Sequence, residues 1–294
     1  MKRAIFTVWS VGLGFALSGC INPLPGSVGA DASDPAALAL LAASAEAHGG
    51  DANFAAVEEI DVRYDGEWLN NVWKLQPMLV DRGFRKASTE AIVYGGPPSY
   101  GEWPVVIQEH TGPEGKKTVV WPSALPPDYE PLDGGAAVFY NDQPIKDTEE
   151  RVRQEEASAM VAEAYRMFLT GPFYFTQRSG SSSEMVAVMS EPDTVLGAAC
   201  DQVLVELRPG FGTSEVDRVQ VAIDRDTKFV RRVRFSLDGF RKTAGATADV
   251  ELDGYTEIDG LVFPTRFLEI VTHPIDREVH RWEAKSIEVH RVER

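Results

Sequence analysis

The sequence predicts an α+β fold: a single curved antiparallel β-sheet, a half-barrel of about eleven strands, with two main helices packed on its concave side. Three observations lead there. From Glu58 onward apolar residues recur at every second position, as in Ile60, Val62 and Tyr64, the period of a half-buried strand. Short polar turns separate the later runs, and such turns join antiparallel neighbours rather than crossovers. A 3.6-residue apolar period long enough for a substantial helix occurs once near the N-terminus and once mid-chain.

Asp34 caps the first helix, with Pro35 at its first position, Ala36 to His48 as its body and Gly49-Gly50 as its end. Leu38, Leu41 and Ala45 make its packing face, and residues 51–57 add one further turn. Strand-like runs follow at Leu69–Leu75, Gly83–Val93, Val105–His110, Thr118–Trp121 and Ala137–Tyr140. Two loops rich in proline and aromatics, Tyr94–Pro104 and Pro122–Gly135, interrupt them. The second helix runs from Thr148 to Leu169, opened by Asp147 with Glu150 three residues on and closed by Thr170-Gly171-Pro172. Its apolar stripe is Ala157, Met160, Val161, Ala164 and Phe168. Phe173–Arg178 and Met185–Met189 read as a hairpin around Gly180-Ser181-Ser182-Ser183. Val219–Ile223 and Phe229–Phe235 flank the turn Asp224-Arg225-Asp226-Thr227. Thr247–Ile258 and Leu261–Thr272 flank Asp259-Gly260, a strong type I′ signal, and Glu278–Val292 is the last strand.

The 294 residues are 44% hydrophobic and 25% charged, which excludes a disordered or fibrous chain. A net charge of −16 repels phosphate backbones and argues against a nucleic-acid partner. Lys2 and Arg3 precede an apolar run, Ala4 to Leu17, of about 14 residues, where a membrane-spanning helix needs about 20. The run fits a secretory signal, and Leu17-Ser18-Gly19-Cys20 resembles a bacterial lipobox. The small residues suit the peptidase, and the Cys20 thiol is the nucleophile that accepts diacylglycerol. Residues 1–19 are therefore expected as signal peptide, 20–33 as a lipidated flexible tether and 34–294 as the folded domain. Two or three acyl chains, palmitate among them, anchor more firmly than one. Ile21 after the cysteine, rather than Asp, favours the outer membrane by resemblance to the enterobacterial sorting pattern, with the domain facing the periplasm. Cys200, between Ala198-Ala199 and Val203-Leu204, is expected as a small buried hydrophobe.

Motifs that carry chemistry are scarce. The 5 histidines show no metal-binding spacing. His280 and His290 share one strand face, but about 33 Å apart. His48 caps the first helix, where a cation suits the dipole. There is no G-x-S-x-G, P-loop or dinucleotide fingerprint, and the acidic pairs fall in turns or on solvent faces. No catalytic residue, cofactor or metal is expected. Aromatic residues on the strands stand out instead. Most fill a core, but a few helices over so many strands leave room for a lipid-sized apolar cavity. Trp68, Trp73, Phe84, Trp121, Phe235 and Phe263 are the candidate lining, with the loop at Pro97-Pro98 as a candidate lid.

Several of these features together resemble the lipoprotein-carrier superfamily, the Lol-type periplasmic carrier and its outer-membrane receptor. They are the opening helix ending His48-Gly49-Gly50, the half-barrel, and the mid-chain helix ending near Gly171-Pro172-Phe173. The C-terminal run Val221-Ala222-Ile223-Asp224, Val230-Arg231-Arg232-Val233 and Ile258-Asp259-Gly260-Leu261-Val262-Phe263-Pro264 completes the pattern. The resemblance spans roughly residues 35–292 and implies a cavity for acyl chains or a similar apolar ligand. The leading expectation is an anchored envelope lipoprotein that binds a lipid or the acyl part of another lipoprotein. An envelope protein-interaction or assembly module with a filled core stays open beside it, and a hydrolase built from scattered residues is the third reading.

Overall fold

Asp34 opens α1 (Pro35–Ala47) by accepting the Ala36 amide at 2.8 Å. The computed structural model describes residues 24–25, 27–29, 32–94, 104–121, 135–179 and 184–292. The signal segment, Cys20 and both proline-aromatic loops lie largely or wholly outside them. The buried face of α1 is Ala37, Leu41, Ser44 and Ala45, while Leu38 is 36% exposed, a correction to the expected stripe. The small residues Ala37, Ser44 and Ala45, at i, i+7 and i+8, allow a close approach to the neighbouring elements, with Leu41 between them as the large apolar contact. One turn, α2 (Asp51–Phe54), follows.

Among the described residues, thirteen strands form one curved, unclosed antiparallel sheet. They are β1 (Val57–Trp68), β2 (Ala87–Val93), β3 (Val105–Gly112), β4 (Gly115–Trp121), β5 (Ala137–Tyr140), β6 (Gln143–Pro144), β7 (Glu184–Val195), β8 (Ala198–Arg208), β9 (Asp217–Asp224), β10 (Val230–Ser236), β11 (Thr247–Asp253), β14 (Arg266–His273) and β15 (Arg277–Arg291). Their spatial order is β6-β5-β4-β3-β2-β1-β15-β14-β11-β10-β9-β8-β7. Two meanders thus meet at the β1/β15 seam, and β6 and β7 are opposite edges. The chain must cross the sheet to pass from one edge to the other. The helices α4 (Thr148–Thr170) and α5 (Pro172–Ser179) make that crossing.

A separate hairpin, β12 (Thr256–Ile258) and β13 (Leu261–Phe263), turns at Asp259 (φ 50°) and Gly260 (φ 75°), the doubly positive φ of a type I′ turn. Its tip docks on the corner after α1: the Val262 amide donates to His48 O at 2.9 Å, and Asn53 Nδ2 donates to Gly260 O at 2.9 Å. Gly49 sits there at φ +116°, and a Cβ would lie 2.2 Å from Gly260 O. The sheet, α1, α4 and α5 enclose one large apolar core.

Several expectations are corrected. Leu69–Leu75 is not a strand, because Asn70 (φ 51°) and Asn71 (φ 57°) turn the chain into a 3₁₀ turn at Val72–Lys74 and then α3 (Pro77–Val80). Phe173–Arg178 is helical: Pro172 starts α5, and Phe173, Tyr174 and Phe175 are consecutively buried, which a half-exposed strand does not allow. β8 completes the β7 hairpin instead. α4 is buried far beyond the expected stripe, because the sheet curves around it and its inner charges find partners. Glu163 Oε1 accepts from Tyr174 Oη at 2.7 Å and pairs with Arg178 at 3.4 Å, and Glu163 Oε2 accepts from the Gly212 amide at 3.1 Å.

His280 and His290 do not share a face. The β1/β15 register jumps from Arg63↔Ser286 to Tyr64↔Ala284, so Lys285 is an extra residue and reverses the alternation. His280 is buried, whereas His290 is exposed with Nε2 2.8 Å from Asp61. His48 caps α1 as a neutral ring rather than a cation. It is buried against Phe229 and Tyr255, its Nδ1 lies 2.8 Å from Ser44 O, and burial lowers its pKa to about 4. Cys200 is buried in a small cluster with Val195 and Ala222.

Candidate functional site: an apolar cavity with one polar corner

A single long helix cannot cover a sheet of this width. Between α4, the 72–80 segment, the β14–β15 hairpin and the loop after β10 lies a cavity of about 580 Å³. α4 contributes Met160, Val161, Ala164, Tyr165 and Phe168, spaced along one side of the helix. Phe235 and Leu237 line it from β10 and beyond, Val271 from β14, and Val72 and Val80 from the facing segment. Leu75 (59% exposed) and Ile275 (37% exposed) are large apolar residues of its wall that also face solvent, and they mark its mouth. A groove of about 570 Å³ continues outward over Pro77, Met78 and Glu150, sharing Leu75, Gln76 and Lys242 with the cavity.

Four polar groups of the wall gather in one corner, Arg85, Tyr165, Glu269 and His280, beside Trp68; Gln76, Lys242, Thr243 and His273 are the other polar residues of the lining. Arg85 donates through Nη1 to Leu79 O, and its Nη2 lies 3.4 Å from Tyr165 Oη. Trp68 Nε1 donates to Arg85 O at 3.1 Å, and the guanidinium lies 5.0 Å from the Trp68 ring centre. The His280 ring stacks on Trp68 at 3.8 Å and on Trp282 at 4.6 Å, so both its faces are covered. Its Nδ1 is 3.4 Å from Tyr165 Oη and 3.9 Å from Glu269 Oε2. Burial, helped by the Arg85 charge, holds His280 well below the usual histidine range. Burial also pushes the Glu269 carboxyl up to about 7, partly opposed by Arg85.

Among the described residues the cavity wall carries two hydroxyls, the Tyr165 phenol and Thr243, whose Oγ1 lies within donating reach of Leu237 O at 2.8 Å and Phe240 O at 2.9 Å. His280 stays neutral between its two tryptophans. Among the described residues no group of three His, Cys, Asp or Glu is gathered for a metal ion.

Of the residues singled out from sequence, Trp68 and Phe235 stand on the cavity wall. Trp73 lies behind it, packed with Val72, Val80 and Val279 and covered by Arg82 at 4.5 Å. Phe84 meets Tyr140 edge-on at 4.6 Å, while Trp121 and Phe263 are buried in the main core. Pro97-Pro98 lies outside the described residues. Sequence reasoning passed over Arg85, Glu269 and the inward placement of His280. One signal was present: Glu269 alternates with Phe267 and Val271, so its carboxyl occupies an inward position on a half-buried strand.

No family model matches the chain, and no curated protein matches it. Solved structures similar to it include a LolA superfamily protein from Nitrosomonas europaea, at 12% identity over 87% of this chain and 94% of that one, with a TM-score of 0.46. A DUF1329 family protein from Desulfovibrio piger is similar at 10% identity, over 86% and 92% of the two chains, with a TM-score of 0.37. The lipoprotein LppX from Mycobacterium tuberculosis is similar at 11% identity, over 83% and 100%, with a TM-score of 0.26.

Proposed function

We propose that this protein is an envelope lipoprotein that holds a lipid, or the acyl part of another lipoprotein, in the cavity beneath α4. One observation carries the reading: a cavity of about 580 Å³ whose walls are mainly aliphatic and aromatic, with a mouth framed by Leu75 and Ile275. That volume falls within the roughly 300–1,000 Å³ of small-molecule sites. A module whose core is filled has no need of such a space. In this reading Cys20 carries the acyl anchor after cleavage behind Leu17-Ser18-Gly19, and the domain faces the periplasm from the outer membrane. Among the described residues no helix is long and apolar enough to cross a membrane.

Native mass spectrometry of the purified protein, paired with lipid extraction of the same sample, tests the cavity. A retained lipid-sized mass, displaced by a fluorescent fatty-acid probe with saturable binding, is the expected result. A clean unliganded mass together with no saturable probe binding would return the interaction module to first place. Mass spectrometry of the N-terminal peptide tests acylation at Cys20 separately.

A further inference from the structure

Among the described residues, every buried lysine and arginine but one is paired with a carboxylate. Lys117 meets Asp81 at 3.0 Å, Arg178 meets Glu163 at 3.4 Å, Arg166 meets Glu163 at 3.9 Å, and Arg232 meets Asp193 at 2.8 Å. Arg85 is only 9% exposed, yet no carboxylate of the described residues lies within 4.0 Å of its guanidinium. An uncompensated buried charge is strongly destabilising, so a fold that keeps one gives it a counter-charge from elsewhere. Arg85 is also on the wall of the apolar cavity.

We propose that Arg85 is the counter-charge for the head group of the bound amphiphile, so that the cavity selects single-chain ligands ending in a carboxylate or a phosphate over neutral ones. This rests on the reading of the cavity as an acyl-chain site. Three features support it. A guanidinium has five N–H donors in a planar fork that matches carboxylate and phosphate oxygens. Nη1 donates to Leu79 O and Nη2 lies within reach of Tyr165 Oη, and since each terminal nitrogen carries two N–H groups the fork keeps further donors for a ligand. From that corner the wall turns apolar through Ala164, Phe168, Phe235 and Val271, a run suited to the tail. Glu269 faces the same corner, and its carboxyl, raised to about 7, stays largely protonated in mildly acidic solution and can donate to an anion rather than repel it.

The test uses the full chain carrying Cys20→Ser, so that no acyl group of its own competes. Binding of palmitate, hexadecyl phosphate and hexadecanol, which share one chain length, is measured by displacement of a fluorescent probe at pH 6. Charge-assisted hydrogen bonds make the anions bind about tenfold or more tighter than the alcohol. Arg85→Gln loses that advantage, its anion-to-alcohol affinity ratio falling to about one, and Arg85→Lys retains part of it. Which anion binds better distinguishes a free fatty acid from a phosphate-bearing lipid, and either order supports the proposal. Equal binding of alcohol and anions by the parent protein overturns it, as does undiminished palmitate binding by a folded Arg85→Gln. Should that variant fail to fold, the parent protein's anion-to-alcohol ratio decides alone. Failure of all three ligands to bind overturns the cavity reading itself, a different result.

Discussion

Glu90→Gln should make the protein more tolerant of alkaline solution, and the size of the effect follows from the position of this carboxyl. Glu90 lies on an inward position of β2, 2% exposed and directly across from Gln108 of β3. Gln108 Nε2 donates to its Oε2, but Oε1 has no partner. Burial raises the carboxyl from 4.5 to about 7, against the smaller pulls of Gln108 and Arg166 in the other direction. A carboxyl with a raised pKa in the folded state binds its proton more tightly there than in the unfolded chain. Its contribution is therefore fully present below the unfolded value of 4.5 and is lost as pH rises toward 7, levelling off above it. Over the interval from pH 5 to pH 8 the loss comes to about 2.5 kcal/mol. An amide at this position still accepts from Gln108 and never ionises. Urea unfolding of both proteins at several pH values is the assay. The variant's advantage should grow by about 2.5 kcal/mol from pH 5 to pH 8. Glu269 and His48 titrate in both proteins and cancel in the difference. Parallel stability profiles would show that Glu90 ionises freely, and the reasoning about its burial would then fail.

Gly49→Ala forces a methyl group against Gly260 O at a backbone angle that disfavours side chains, so urea unfolding should show a loss of about 2–3 kcal/mol. Gly197→Ala, at φ +81° with open space around it, should lose about 1 kcal/mol by the same assay. Ala164→Leu, lengthening a side chain that faces the cavity, should cut saturable fatty-acid binding by about tenfold or more while the melting temperature holds or rises. His48, held near 4 by burial, contributes stability that is lost as pH falls from about 6.5 through 4. His48→Gln should flatten that acid limb in thermal melts, and an unchanged limb would assign it to other groups.

Much of the sheet was legible because its strands alternate and their turns are chemically distinctive. Asp259-Gly260 adopts the doubly positive φ that its dipeptide demands, and Asp224 accepts the Asp226 and Thr227 amides at 2.9 and 3.1 Å, as a turn aspartate should. What escaped depends on long-range geometry. Nothing local says that Lys285 is an extra residue, yet it decides which histidine faces inward. Phe173-Tyr174-Phe175 has strand-like composition, and only the need to leave the end of α4 and pack three aromatics inward makes it helical. The cavity was legible as a mismatch between many strands and few helices. Its polar corner was not, because Arg85, Tyr165, Glu269 and His280 come from four separated segments.

The topology explains why the space exists. With β6 and β7 at opposite edges, one helical connection must traverse the sheet, and α4 is it. A single traverse covers a band of the face and leaves the ground beside it bare. The 72–80 segment and the loop after β10 roof that ground without filling it. Water is a poor tenant along the aliphatic and aromatic stretch of Ala164, Phe168, Phe235 and Val271, since it needs polar partners. In the proposed reading an amphiphile would satisfy both regions at once, its tail along α4 and its head beside Arg85, and by binding the folded state would stabilise it.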